Sequence, residues 1–265
     1  MSVIDKAVID KTRIARSFGK AAETYDAVAH FQRWAGHVLL DKIPEIRPST
    51  LLDLGCGTGY FCAPLIDRFQ HVSYLGLDLS EEMINYARNH HPNLGAWLAS
   101  DAENLALKDN SVDLIFSSLA IQWCADLPSL MAEIRRVLKP GGLFVFSTLL
   151  EGTLGELKRA WLAVDDKQHV NNFFLKKQYQ QAIEQAGLAT RLLERESHIL
   201  HYVKVTDLMR ELKALGAHNL NTDRSNALAG RRRLVSLTAA YERYRNPQGL
   251  LPASYELLWG VLEKP

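Results

Sequence analysis

The sequence predicts an α/β fold, a doubly wound and mostly parallel sheet of seven strands, and three observations lead there. Continuous apolar runs of strand length recur through the middle of the chain, at Thr50 to Leu54, Val72 to Leu77, Gly95 to Ser100, Val112 to Ser118 and Leu143 to Thr148. Such runs have the length and uniformity of strands buried on both faces. Amphipathic segments separate them, as in Leu130, Ile134, Val137 and Leu138. The second and third runs end at acids, Asp78 and Asp101, where an open parallel sheet collects its ligands.

Composition sets the bounds. A chain of 265 residues, 47% hydrophobic and 23% charged, buries one substantial core. No repeat, low-complexity tract or long linker divides it, so residues 1–265 are expected to form one domain with elaborations. A formal charge of +1 gives no global attraction to nucleic acid or anionic lipid, and an acidic partner must meet a local patch. The first residues carry charges throughout and no stretch reaches the roughly 18 apolar residues of a membrane span, so a soluble, cytoplasmic protein is expected. Cys56, Cys62 and Cys124 show neither disulfide nor zinc spacing and read as small apolar fillers.

In chain order, residues 1–43 are expected to form two helices, separated near Gly19 to Asp26, over the open end of a ligand site. Residues 44–148 hold the first five strands, each followed by a helix or a turn. A glycine turn follows the first run, then a helix through Phe61 to Phe69. Ser80 caps the next helix, and Glu81 and Glu82 suit its N-terminal dipole. The helix through Leu138 is expected to stop at the glycines of Lys139 to Gly142. Residues 149–187 and 201–247 form a helical lid: Glu156 to Asp166, Leu175 to Gly187, Val205 to Ala217 and Ala229 to Arg245. Residues 188–200 and 254–264 supply the last two strands, the final one packing back as a hairpin partner.

The glycine turn decides the ligand class. Asp53, Gly55, Gly57 and Gly59 stand at alternate positions. A dinucleotide fingerprint needs a further glycine for tight helix packing; counted from Gly55 that position is Tyr60, and from Gly57 it is Cys62. Three close backbone approaches beside an acid suit a cationic ligand better than a pyrophosphate, which the acid would repel.

The stretch from Asp53 to Gly59 resembles motif I of the class I S-adenosylmethionine-dependent methyltransferases, a Rossmann-like family. That resemblance implies S-adenosylmethionine as cofactor. It places Gly55, Gly57 and Gly59 against the methionine part and ribose, Asp78 on the ribose hydroxyls, and Asp101, with Ala102 and Glu103, near the adenine. Asp53, Leu79, Met83 and Ser118 complete the implied cofactor set, with Arg33 as a partner for the cofactor carboxylate. Beyond this core, the segments Arg16 to Asp26, Ser117 to Cys124, Ser147 to Trp161, Val164 to Phe173 and Leu212 to Asn219 are similar to the malonyl-acyl-carrier-protein O-methyltransferases of biotin synthesis. This narrower resemblance implies methylation of the free carboxylate of a malonyl thioester, carried on an acyl carrier protein or on CoA.

The chemistry is consistent with these residues. A malonyl carboxylate is ionised at pH 7, so attack on a sulfonium methyl needs no general base, only orientation and desolvation. Such a site uses polar donors and aromatic walls. Tyr25, Gln122, Trp123, His169 and Asn171 are the candidates, with Lys158, Arg159 and Arg224 as further carboxylate partners. No metal is expected. Arg231, Arg232, Arg233, Arg243 and Arg245 form a local basic patch that suits an acidic carrier protein. Two other readings share this core: methylation of another small acid or quinone-like ring carbon, and cofactor binding without turnover.

Overall fold

Strand β1 (Thr50–Leu54) is an interior strand of a seven-stranded sheet in a computed structural model that describes residues 10–217 and 227–265. Its side chains alternate between two buried layers. Leu51 packs with Leu65, Phe116 and Val145, whereas Leu52 and Leu54 pack with Ile115, Ile134 and Phe144. Burial on both faces makes the run continuously apolar, and each fully buried Leu or Phe contributes about 1.5–3 kcal/mol.

The remaining strands are β2 (Ser73–Asp78), β3 (Ala96–Ala99), β4 (Val112–Ser118), β5 (Leu138–Leu149), β6 (Ala189–Tyr202) and β7 (Leu251–Glu263). Their spatial order is β3-β2-β1-β4-β5-β7-β6. The first five run parallel, and β7 inserts antiparallel between β5 and β6. Strand order reverses beside β1, between β2 and β4, which opens a crevice at the carboxyl ends of these strands. The terminal strands are longer than expected because they define each other's ends, pairing from Ala189 with Glu263 to Tyr202 with Leu251.

Helices α1 (Lys11–Val28), α2 (His30–Asp41), α3 (Cys62–Arg68), α4 (Glu81–His90), α5 (Leu127–Val137), α6 (Gly155–Leu162), α7 (Lys176–Ala186), α8 (Val205–Ala214) and α9 (Ala227–Tyr241) cover the sheet. Ser80 caps α4 as expected, its hydroxyl accepting the Met83 N–H at 3.3 Å.

Three further boundaries differ from the sequence expectation. The N-terminal helices do not separate near Gly19 to Asp26; α1 runs through that stretch and the chain turns at Ala29. Gly19 serves close approach instead, since a Cβ there would lie 2.7 Å from Glu82 Oε2 and 2.9 Å from Ser80 Oγ on α4. Helix α5 ends before its glycines, because Leu138 already turns extended (φ −63°, ψ 139°) and Gly141 and Gly142 belong to β5. Helix α6 stops at Leu162, and Ala163 to Asp166 turn back toward it through N–H bonds from Val164 and Asp165 to the Trp161 carbonyl. Together α1 and α8 roof the crevice, joined where the Ser17 hydroxyl donates to the Gly216 carbonyl at 2.9 Å.

Candidate active site

The glycine turn after β1 is fastened to β2 by its backbone. The N–H groups of Gly55 and Cys56 donate to the Leu77 carbonyl at 2.7 and 3.0 Å. At Gly55 (φ +77°) any Cβ would sit 2.2 Å from the Ala120 Cβ. Gly57 (φ +54°) faces open space, and its N–H donates to Asp78 Oδ2 at 3.0 Å. The other Asp78 oxygen accepts from the Ser80 N–H at 2.9 Å. Burial raises the Asp78 carboxyl above its usual range, and the N–H groups of Ser80, Gly57 and Leu79 offset part of that rise. Thr58 ties the turn to α1, donating to Asp26 Oδ1 at 2.9 Å.

Around this turn lies a cleft of about 790 Å³, its solvent-open mouth included. Gly55, Gly57, Asp78, Leu79, Met83, Asp101, Ala102 and Ser118 line it, bringing together eight of the twelve residues expected at the cofactor. The α1 residues Lys11, Ile14, Phe18 and Tyr25 close its top. Lys11 donates to Asp101 at 2.5 Å and also to Glu103. Burial would lower the Lys11 pKa, but the two carboxylate bonds raise it.

A second cavity, of about 840 Å³ with its solvent-open mouth included, adjoins the first. Phe18, Tyr25, Leu119 and Trp123 line both. Phe18 meets Trp123 edge-on with centroids 5.2 Å apart, and meets Tyr25 at 6.4 Å. All five acceptor-side candidates, Tyr25, Gln122, Trp123, His169 and Asn171, line this second cavity. His169 is held in place: its Nε2 lies 2.7 Å from Asp165 Oδ1 and its ring stacks on Trp161 at 3.7 Å. The Gln122 amide donates to the Leu119 carbonyl and accepts from Thr148. Burial raises the Tyr25 phenol, reinforced by Asp78 and Asp26, so it remains a neutral donor through the working pH range.

Four expected cofactor residues lie outside the cleft lining. Arg33 fastens the turn between α1 and α2, donating to the Asp26 carbonyl at 2.7 Å. Asp53 is buried beneath the glycine turn and accepts from the Tyr74 hydroxyl at 2.8 Å. Burial pushes its carboxyl up to about 7, although the Tyr74 bond opposes the rise. Gly59 packs against Trp97 and His91, where a Cβ would come within 2.7 and 2.8 Å. Glu103 bonds Lys11 and accepts the Asp126 N–H at 2.8 Å. Lys158 and Arg159 do not line the second cavity either, donating to Asn172 and to the Tyr244 hydroxyl. Arg224, His218 and Asn219 lie outside the described residues.

The basic patch divides. Arg231 and Arg232 are exposed. Arg233 pairs with Asp165 at 3.4 Å, Arg243 lies on the Tyr244 ring, and Arg245 pairs with Glu242. Residues not anticipated from sequence include Lys11, Ile14 and Phe18 in the cleft, and Gln32, Thr153, Met209 and Tyr255 in the second cavity. The signal for α1 was present: Ile14, Phe18 and Tyr25 recur at i, i+4 and i+11, one helical face. Among the described residues no group of three or more His, Cys, Asp or Glu is placed to hold a metal ion. None of their helices is long and apolar enough to cross a membrane.

Residues 52–146 match the family model described as a methyltransferase domain. The YcgJ protein of Bacillus subtilis has a similar fold, with a TM-score of 0.61 at 19% identity over 88% of this chain and 98% of that one. Geranyl diphosphate C-methyltransferase of Streptomyces coelicolor A3(2), solved with S-adenosyl-L-homocysteine, gives 0.53 at 15% identity over 87% and 78%. The biotin biosynthesis bifunctional protein BioHC of Cellvibrio japonicus (strain Ueda107) is 50% identical over 97% of this chain, which spans about half (51%) of that relative. Malonyl-acyl-carrier-protein O-methyltransferases of Hahella chejuensis (strain KCTC 2396) and Methylococcus capsulatus (strain ATCC 33009 / NCIMB 11132 / Bath) are 39% and 41% identical, over 97% and 96% of this chain and 92% and 94% of their own lengths. With that identity along almost the whole of both stand-alone relatives, this chain belongs to the malonyl-acyl-carrier-protein O-methyltransferase family.

Proposed function

We propose that this chain transfers the methyl group of S-adenosylmethionine to the free carboxylate of a malonyl thioester, giving the methyl ester from which the pimeloyl chain of biotin is built. One observation carries the reading: a cleft with strand-end acids opens, across a single wall of Phe18, Tyr25, Leu119 and Trp123, onto a cavity whose described lining contains neither Lys nor Arg.

The cleft fits the cofactor. Asp78 stands at the strand end with carboxylate oxygens able to accept from a ribose diol, and the Gly57 backbone is open beside it. Leu77, Leu79, Met83 and Ile121 supply apolar walls for a purine, and Asp101 supplies an acceptor. S-adenosylmethionine bound there would supply an electrophilic methyl on a positively charged sulfur, which the acceptor carboxylate would take up as an ester, with the sulfur leaving as a neutral thioether.

The protein's part is placement. No side chain has to remove a proton, because the acceptor is already ionised. His169, bonded to Asp165 and stacked on Trp161, therefore shapes the wall. Phe18 and Trp123 exclude water at the junction of the two cavities, which strengthens attraction between the anion and the cofactor's charge. Tyr25 lies in that shared wall, and its hydroxyl can donate to a carboxylate without ionising. Alignment of two bound reactants is worth several kcal/mol in such reactions.

An acyl carrier protein is the proposed partner, docking at the exposed Arg231 and Arg232 beside the exposed Leu234 and Val235 of α9. The same helix reaches the cavity wall, since Arg233 pairs with Asp165, which holds His169.

A methyl-transfer assay with labelled cofactor tests the function on malonyl carrier protein, malonyl-CoA and free malonate. Labelling of the thioesters as alkali-labile esters is expected, with the carrier protein favoured. Tight cofactor binding without labelling of any of the three would reject this reading.

A further inference from the structure

We infer that the Gln32 amide, together with the Tyr25 hydroxyl, grips the acceptor carboxylate, so that among the described residues it is neutral donors that hold this anion. The inference rests on the methyl-transfer reading above and assigns a substrate-binding residue within it.

Several polar groups of the second cavity are already engaged within the protein. Gln122 is engaged with the Leu119 carbonyl and Thr148. Thr153 is engaged with both backbone groups of Glu256. His169 Nε2 is committed to Asp165. Gln32 is different: it lines the cavity, its Oε1 is buried, and that atom has no hydrogen-bond partner. A buried polar atom left unpaired is costly, and a ligand that satisfies the amide removes the cost.

The geometry also fits the charge. A half-turn about the terminal side-chain torsion, which is soft in Gln, presents the two N–H donors in place of Oε1. Gln32 lies in the second cavity and not in the cofactor cleft, whereas Tyr25 lies in both. A carboxylate held between them keeps one oxygen toward the junction where the methyl group arrives. A lysine or arginine in the same place would stabilise the anion as a ground-state ion pair and oppose its neutralisation, so neutral donors favour the reaction. They also disfavour a free diacid, whose second charge would find no counter-ion in the described lining.

The test measures binding with the cofactor site filled by sinefungin, a cationic analogue with no methyl group to transfer. The ligands are malonyl-N-acetylcysteamine and its acetyl counterpart, which lacks the carboxylate. The wild-type protein should prefer the malonyl ligand by about 10-fold or more. Gln32→Leu should erase most of that preference, with acetyl affinity, sinefungin affinity and melting temperature unchanged. Gln32→Glu keeps a polar side chain of the same length, carries the test if the leucine variant is unstable, and should lose malonyl binding further through like-charge repulsion. A wild-type protein without preference, or variants that retain it, would overturn the assignment. A preference that depends on Gln32 in a protein that methylates no malonyl thioester would instead reject the proposed function and leave the carboxylate grip standing.

Discussion

The two adjoining cavities are built from opposite materials. The cofactor cleft is made of strand ends, with backbone N–H groups and the titratable side chains of Asp78, Asp101 and Lys11, and Asp53 buried beneath its glycine turn. The acceptor cavity draws mostly on α1, α2, α6, α8 and the loop through His169 and Asn171, with Leu149 and Tyr255 from β5 and β7, and its described lining holds neither Lys nor Arg. The difference separates two tasks. On the proposed function, a cofactor carrying several charges would be held by fixed carboxylates and dipoles, and an anion about to lose its charge by groups that do not change with it.

The largest effect should come from the cleft. Asp78→Ala removes the acceptor at the end of β2 and should weaken cofactor binding by about 3 kcal/mol, on the order of 100-fold, as two hydrogen bonds to a charged group imply. Calorimetric titration measures it; unchanged affinity would place the ribose elsewhere.

A titration effect should also arise beneath the cleft, at Asp53. Burial raises the Asp53 carboxyl from the ordinary carboxylate range to about 7. A raised folded-state pKa means that the stabilisation is complete below the unfolded value and lost as pH rises through about 7. Between pH 5 and pH 8 the protein should lose about 2.5 kcal/mol from this group, and Asp53→Asn should flatten that slope in urea titrations. Malonyl-over-acetyl preference in the second cavity should stay level across the same range; a parallel fall would show that a titrating group also holds the acceptor.

Smaller effects lie at the periphery. Arg231→Glu with Arg232→Glu should raise the KM for the carrier-protein substrate by about 10-fold and leave that for the CoA thioester nearly unchanged. Equal effects would remove the docking surface. Lys11→Ala should loosen the first turns of α1 by less than about 1 kcal/mol, as part-exposed ion pairs do. Faster amide exchange at residues 11–18 would show it.

The same contrast explains what was legible in the sequence. The strands of the parallel core and Asp78 are local features, and alternation, caps and strand-end acids reveal them before any folding is known. Asp53 was harder: a strand-end acid in sequence does not disclose which face it occupies, and here it bonds Tyr74 inside the sheet layers. Gly19 was read as a break because a helical glycine and a close-packed glycine look alike until α4 is placed against it. Arg233 looked like part of an exposed patch, but its partner Asp165 lies in a distant loop. Gln32 carried no motif at all; only the cavity around it and its unpaired amide oxygen single it out.

The most direct measurement of the central claim is the position of the transferred methyl group. Malonyl carrier protein incubated with cofactor bearing a trideuterated methyl should gain one CD3 on the distal carboxylate oxygen, seen by mass spectrometry of the acyl fragment and lost on mild alkaline hydrolysis. A CD3 group on carbon, or an unlabelled acyl chain in the presence of bound cofactor, would contradict it.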